Sequence, residues 1–146
     1  MIGHLTRKEL AIAFREAARG DAQAADTIIE FLGLDPWVLG SGYAKEAAWK
    51  LLKRVELSQA QKAELQRIAR SYLHRRIGRE FRYMALMVRR IATPEFVGEI
   101  EALGRGRADE VGQRARLLAA YMHDPRQARA LQGEYWRRAR YGPGES

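Results

Sequence analysis

The sequence predicts an all-α fold. Helix-forming residues (Ala, Leu, Arg, Glu and Gln) recur along the whole chain, and β-branched residues are sparse and scattered. No stretch alternates apolar and polar residues for long enough to indicate a β-strand. A chain of 146 residues, 47% of them hydrophobic, is long and apolar enough to bury one core. We therefore expect a single helical domain over residues 1–141 and a disordered tail over residues 142–146.

Four helices are predicted in the first half of the chain, over residues 7–18, 22–33, 43–54 and 58 to about 75. Thr6 can form a capping box with Glu9 before the first helix, and Gly20 follows its end. Asp21 and Ser58 stand at the capping positions of the second and fourth helices. The residues expected to be buried are Leu10, Phe14, Ala17 or Ala18, Ala25, Ile28, Ile29, Leu32, Ala44, Ala47, Ala48, Leu51, Leu52, Ala60, Leu65, Ile68, Ala69 and Leu73.

The segment 33–42 is the least helical part of the body of the chain. Pro36 follows an aspartate there and indicates a turn, or a single helical turn that begins at this point. Trp37, Val38 and Leu39 are expected to anchor the segment in the core.

Four further helices are predicted over residues 79–92, 94–104, 108–122 and 125–140. Gly78 separates the fifth helix from the fourth. Thr93 and Pro94 place a capping residue and a first-turn proline at the start of the sixth helix, and Asp124 precedes the last. The residues expected to be buried are Phe81, Met84, Ala85, Val88, Ile91, Val111, Ala115, Leu118, Ala119, Met122, Ala128, Leu131 and Tyr135.

Short helices joined by tight turns favour stacked antiparallel hairpins. The natural pairs cover residues 7–33, 41–75, 58–92 and 93–122, with 22–33 and 41–54 as an alternative pair. A compact helical bundle built from the same helices is the other arrangement that the pattern allows.

One of these pairs resembles a HEAT repeat of the armadillo-type helical-repeat family. The residues that carry the resemblance are Pro94, Asp109, Val111, Arg114 and Ala115. Two earlier units keep the same spacing more loosely, through Phe81, Ala85 and Val88 and through Ala44, Ala48 and Leu51. The resemblance implies a short curved superhelix of about eight helices, whose second helices and connecting loops bind other macromolecules and which carries no catalytic residues by default.

The sequence offers little that would support catalysis. It contains no cysteine, and therefore no disulfide and no thiolate metal site. His123 and Asp124 superficially resemble the metal-binding pair of HD-type phosphohydrolases, but that family also needs a downstream aspartate, and none follows Asp124, which is more simply explained as a helix cap. Some HEAT-like proteins are DNA glycosylases that use an acidic residue among aromatic side chains. In this chain three tryptophans could supply the aromatic side chains: Trp37, Trp49 and Trp136. We expect no enzyme activity, no metal and no cofactor.

The sequence lacks the long apolar runs of membrane spans and signal peptides. No apolar run approaches the ~20 residues of a membrane span. The N-terminal residues enter an amphipathic helix without the apolar core of a signal peptide. We expect a cytoplasmic protein without membrane contact.

Arginine is distributed unevenly along the chain. Residues 74–146 contain 15 Arg and no Lys against nine acidic residues, so this half carries about +6 of the total net charge of +8. The predicted partner-binding arginines surround the fifth helix: Arg75, Arg76, Arg79, Arg82, Arg89 and Arg90. A secondary basic face is predicted on the eighth: Arg126, Arg129, Arg137 and Arg140.

A basic patch on a helical scaffold favours an anionic partner. The sequence suggests a protein partner first and a nucleic-acid backbone second, because the planar guanidinium group binds carboxylates and phosphates alike. For the eighth helix, the solvent side of a terminal capping helix is the simpler interpretation. A solvated arginine-rich surface with no partner remains the alternative for both faces.

Overall fold

The computed structural model describes residues 5–34 and 41–141, with side chains over residues 5–34 and 42–138. Within these ranges the regular structure is helical and no β-strand occurs, which confirms the predicted fold class. The α-helices of the described residues are α1 (Arg7–Ala18), α2 (Ala22–Leu34), α3 (Ser41–Leu51), α4 (Gln59–Ser71), α5 (Phe81–Ile91), α6 (Pro94–Gly106), α7 (Glu110–His123) and α8 (Pro125–Tyr141). The predicted tail and the anchoring role of Trp37, Val38 and Leu39 lie outside the described residues.

Two helices are shorter than the sequence predicts because each gives way to a short 3₁₀ helix. The 3₁₀ helix Leu52–Arg54 follows α3, and Tyr72–His74 follows α4. As a result α4 ends at Ser71 rather than near Arg75. The α5 helix begins at Phe81, two residues later than expected, because residues 79–80 form a turn.

Local hydrogen bonds set the helix starts as predicted. The Thr6 hydroxyl accepts from the Glu9 N–H at 3.0 Å, and the Glu9 carboxylate accepts from the Thr6 N–H at 3.2 Å. The Thr93 hydroxyl accepts from the Phe96 N–H at 3.1 Å, immediately before the first-turn proline of α6. Gly20 adopts a φ of 88° after α1, a conformation that favours glycine.

The chain divides into two compact units, Met1–Ile91 and Ala92–Ser146. The prediction of a single domain stays a prediction. In the first unit α1 packs on α2, α2 on α4 and α4 on α5. Among the α-helices, α3 makes its most extensive contacts with α5, which is not the partner that the expected 41–75 hairpin requires.

The core of the first unit is organised around Trp49. This side chain is fully buried, and its Nε1–H donates to the Tyr72 hydroxyl oxygen at 3.1 Å. The Tyr72 ring also packs edge-to-face against Trp49 and Phe81, with ring centroids 6.1 and 6.4 Å apart. Trp49 therefore cannot serve as an exposed aromatic platform, and that alternative is wrong for this residue.

The second unit consists of α6 packed on α7 and α7 packed on α8. The Tyr121 hydroxyl donates to the Gln132 side-chain oxygen, and both residues are buried. Leu131, predicted as a core residue, is instead 42% exposed. The buried side of α8 includes Gln132, whose side chain provides the hydrogen-bond partner that the buried Tyr121 hydroxyl requires.

The remaining burial predictions hold in outline. Most expected core residues are buried, but some are only half-buried or exposed. The half-buried residues are Leu10, Phe14, Ala44, Ala47, Leu51, Ile91, Val111, Ala119, Met122 and Tyr135, and Ala18 and Ala60 are exposed. None of the helices in the described residues combines the length and the hydropathy that a membrane span requires.

Two helical glycines of the second unit should respond oppositely to the same substitution. A Cβ at Gly112 would lie 1.9 Å from the Arg107 carbonyl oxygen, so Gly112→Ala must displace the backbone and should lower the free energy of unfolding by about 2 kcal/mol or more. A Cβ at Gly98 would meet no atom within 4 Å, so Gly98→Ala should raise it by about 0.5–1 kcal/mol. Urea denaturation followed by circular dichroism measures both, and equal effects would contradict the close approach at Gly112.

Candidate basic interface

The α5 helix has one buried side and one basic side. Its buried residues are Phe81, Met84, Ala85, Met87 and Val88. At about 100° per residue, the opposite arc carries four side chains, which we call the outer face of α5: Arg82, Leu86, Arg89 and Arg90. Arg89 and Arg90 are exposed, whereas Arg82 and Leu86 are half-buried. Helical periodicity predicts Arg79, Arg82, Arg89 and Arg90 on one face of the fifth helix. Arg82, Arg89 and Arg90 do lie opposite its buried side, but Arg79 precedes the helix, so the prediction is wrong for that residue.

A second cluster joins α5 and the turn before it to α3, and we call it the α3–α5 seam: Tyr43, Glu46, Lys50, Arg79 and Tyr83. Glu46 accepts from Arg79 Nε at 2.9 Å and pairs with Lys50 Nζ at 3.0 Å. The Arg79 guanidinium lies 3.8 Å from the centroid of the Tyr43 ring, and Lys50 Nζ lies 4.3 Å from that of Tyr83. Each cation of the seam therefore contacts both Glu46 and an aromatic ring.

The two cations of the seam keep Glu46 charged. The hydrogen bond from Arg79, followed by that from Lys50, lowers the pKa of Glu46 below its ordinary value. The same hydrogen bonds raise the pKa of Arg79 and of Lys50. Because the Glu46 carboxylate is already shared between two cations, it is poorly placed to neutralise the arginines on the outer face.

The structure places the six predicted binding arginines in different surroundings. Arg75 is half-buried, with its guanidinium 3.6 Å from the centroid of the Tyr72 ring and its Nη2 donating to Ser71 Oγ at 3.1 Å. Arg79 belongs to the seam, and Arg76 is exposed in the turn before α5. Arg82, Arg89 and Arg90 are together on the outer face. Arg75 and Arg79 thus have structural contacts within unit 1.

The secondary basic face on α8 agrees with its predicted position as far as the structure describes it. Arg126, Arg129 and Arg137 are exposed, and the side chain of Arg140 lies outside the described residues. Trp136 is 42% exposed on the same helix. In α7, by contrast, Arg114 is buried and pairs with Glu110 at 3.0 Å, so this arginine is part of the packing.

An open groove lies between the start of α7 and the second half of α8, with a volume of about 620 Å³. Its lining combines an apolar floor with charged side chains of both signs. The lining residues are Ala108, Asp109, Glu110, Gln113, Arg116, Leu117, Leu131, Glu134, Tyr135 and Arg138. The sequence did not indicate this groove, because Leu131 was assigned to the core.

The histidine–aspartate pair has contacts that explain it without a metal. The Asp124 carboxylate accepts from the backbone N–H of Arg126 at 3.1 Å and of Gln127 at 3.2 Å, as a helix cap does. His123 Nε2 lies 3.4 Å from a carboxylate oxygen of Glu101. Over residues 5–34 and 41–141, the structure places no three His, Cys, Asp or Glu side chains where they could hold a metal ion together.

Comparisons of the chain with protein-family models, with curated proteins and with solved structures find no match. The interpretation of this surface therefore depends on its geometry and charge.

The seam should make the stability of unit 1 depend on pH. Since the pKa of Glu46 is lowered in the folded state, its contribution is present above the ordinary value of 4.5 and is lost as pH falls through the folded value. We expect acid to destabilise the wild type more than Glu46→Gln, by about 1 kcal/mol or less for a partly exposed ion pair. Thermal unfolding from neutral to acid pH measures the difference. Glu56→Gln, an exposed substitution outside the seam, is the control, and identical pH profiles for the wild type and Glu46→Gln would contradict the ion pairs.

Proposed function

We propose that this chain is a non-enzymatic helical-repeat module that binds an acidic protein surface through the outer face of α5. One observation carries the proposal. Three arginines share one arc of a helix that contains no acidic residue, and Glu46, the acid of the adjoining seam, is already paired with two cations. Helix α5 itself therefore contributes positive charge and no acidic side chain to this face.

The HEAT-like architecture is the finer part of the proposal. Three of the four expected helix pairs pack together: α1 with α2, α4 with α5 and α6 with α7. In the best-matching unit, Pro94 occupies the first turn of α6, Asp109 caps α7 and Ala115 is fully buried. These features support a repeat whose second helix packs closely through a small residue.

A protein partner suits this face because the arginines surround an apolar side chain. Leu86 lies half-buried between Arg82 and Arg90 on the outer face. Protein interfaces combine an apolar centre with a polar rim, and arginine is enriched in them. A phosphate backbone would use the charges and would gain little from Leu86.

The second candidate is nucleic-acid binding, and one observation favours it. Tyr43 is 65% exposed and stacks against the Arg79 guanidinium at 3.8 Å. An exposed aromatic ring beside arginines is the arrangement on which single-stranded bases stack. Nucleic acid would then contact the seam as well as the outer face.

Binding of defined probes distinguishes these candidates. The labelled probes are a helical peptide that contains Glu and Leu, a single-stranded RNA and a duplex DNA. The protein is titrated into each probe at several salt concentrations, and binding is measured by fluorescence anisotropy. The triple variant Arg82→Glu, Arg89→Glu and Arg90→Glu should weaken peptide binding at least ~10-fold. Each new glutamate would repel the glutamates of the peptide. Arg126→Glu, Arg129→Glu and Arg137→Glu change the net charge equally on α8 and form the matched control, which should retain binding.

Each outcome supports or contradicts one of the two candidate functions. If the wild type binds no acidic peptide, or if both triple variants lose binding equally, the proposed site is wrong. Binding to RNA or DNA but not to peptide would replace the leading proposal by the second candidate. In that case log affinity should fall with log salt by about 0.7–0.9 per phosphate contact.

A further inference from the structure

We infer that the segment recognised by the outer face of α5 is an acidic amphipathic helix lying along α5. This inference rests on the proposed function and names the class of its partner. The argument starts from the position of Leu86. At about 100° per residue, Arg82 and Arg89 lie about 40° and 60° to one side of Leu86, and Arg90 lies about 40° to the other.

That arrangement places one apolar side chain, Leu86, between cations on both sides. The complementary surface is an apolar line flanked by carboxylates, which an amphipathic helix with acidic margins presents. The alkyl stems of the arginines add apolar contact while their guanidinium groups reach the margins. From Arg82 to Arg90 the face is about 12 Å long, a little over two turns, so a partner helix of three to four turns covers it.

An extended acidic segment fits the same face less well. In a strand, successive side chains point to opposite sides, so one acidic margin would point away from α5. A helix can place apolar residues at i, i+3 or i+4, and i+7 over Leu86, with acids on both flanks. The observed pattern of both flanks being basic therefore favours a helix.

The α3–α5 seam gives this face a defined edge. Tyr83 lies beside the outer face and is contacted by Lys50 Nζ at 4.3 Å and by the Arg82 guanidinium at 5.6 Å from its ring centroid. Arg79 is held by Glu46 and Tyr43 at the N-terminal end of α5. Side chains already positioned in the free protein lose less conformational entropy when a partner binds.

Two synthetic peptides of identical composition test the inference. One has leucines along a single helical stripe with glutamates on both margins, and the other distributes the same residues around the helix. Circular dichroism establishes that both are helical. The 146-residue chain should bind the striped peptide about 10-fold or more tightly than the scrambled one, a difference of about 1.4 kcal/mol.

Matched variants locate the binding. Leu86→Ala should weaken the striped peptide roughly 3- to 10-fold and leave the scrambled peptide unchanged, as expected for a central interface contact. Leu131→Ala removes an exposed leucine in the α7–α8 groove and should change neither. Because Leu86→Ala could affect folding, a charge exchange provides a second test. The Arg90→Glu variant should no longer bind the striped peptide. It should bind a version of this peptide in which lysines replace the glutamates on one margin.

Equal affinity for the striped and scrambled peptides would overturn the amphipathic-helix inference and leave the proposed function in place. Weakening by Leu131→Ala but not by Leu86→Ala would also overturn it, because the groove would then be the binding site. If the wild type binds neither peptide at low salt, the proposed function itself fails.

Discussion

The hydrogen bond between Trp49 and Tyr72 is the contact on which the basic surface depends. It joins α3 to the 3₁₀ helix that follows α4, and the Tyr72 ring in turn packs against Phe81 at the first residue of α5. The position of Phe81 in the core sets the rotation of α5, because Met84, Ala85 and Val88 then point to the same interior. Arg82, Arg89 and Arg90 are left on the outside as a consequence. The basic face is thus produced by packing of the core beneath it.

Several cations behind the charge asymmetry of the sequence have contacts within the fold. Arg75 packs on Tyr72, Arg79 and Lys50 share Glu46, and Arg114 is buried beside Glu110. These contacts account for part of the arginine excess through packing and pairing. Arg82, Arg89 and Arg90 lie around Leu86 on the outer face of α5, which is why we place the interface there.

The sequence predicted the parts of the fold that depend on near neighbours. The capping box of Thr6 and Glu9 joins residues three positions apart, and any protein with that motif before a helix is expected to form it. The bond between Trp49 and Tyr72 spans 23 positions, and that between Arg79 and Glu46 spans 33. Such pairs depend on which helices meet, and the expected hairpins did not pair α3 with α5.

The site shows the same division. The side of α5 that bears arginines could be read from helical periodicity alone. The loss of Arg75 and Arg79 to internal contacts could not, because a sequence does not show which aromatic rings or carboxylates lie near a cation. The exposure of Leu131 could not be predicted either. The next residue, Gln132, is buried and accepts a hydrogen bond from the Tyr121 hydroxyl, and the spacing of apolar residues does not indicate this contact.

Mapping by nuclear magnetic resonance tests the central claim most directly. Backbone amide and arginine Nε–H signals of the labelled protein would be followed while the striped acidic peptide is added. The account predicts that the largest shifts cluster on α5 at Arg82, Leu86, Arg89 and Arg90, with smaller shifts along the seam. Shifts centred on α8 or on the α7–α8 groove, with α5 unchanged, would contradict it.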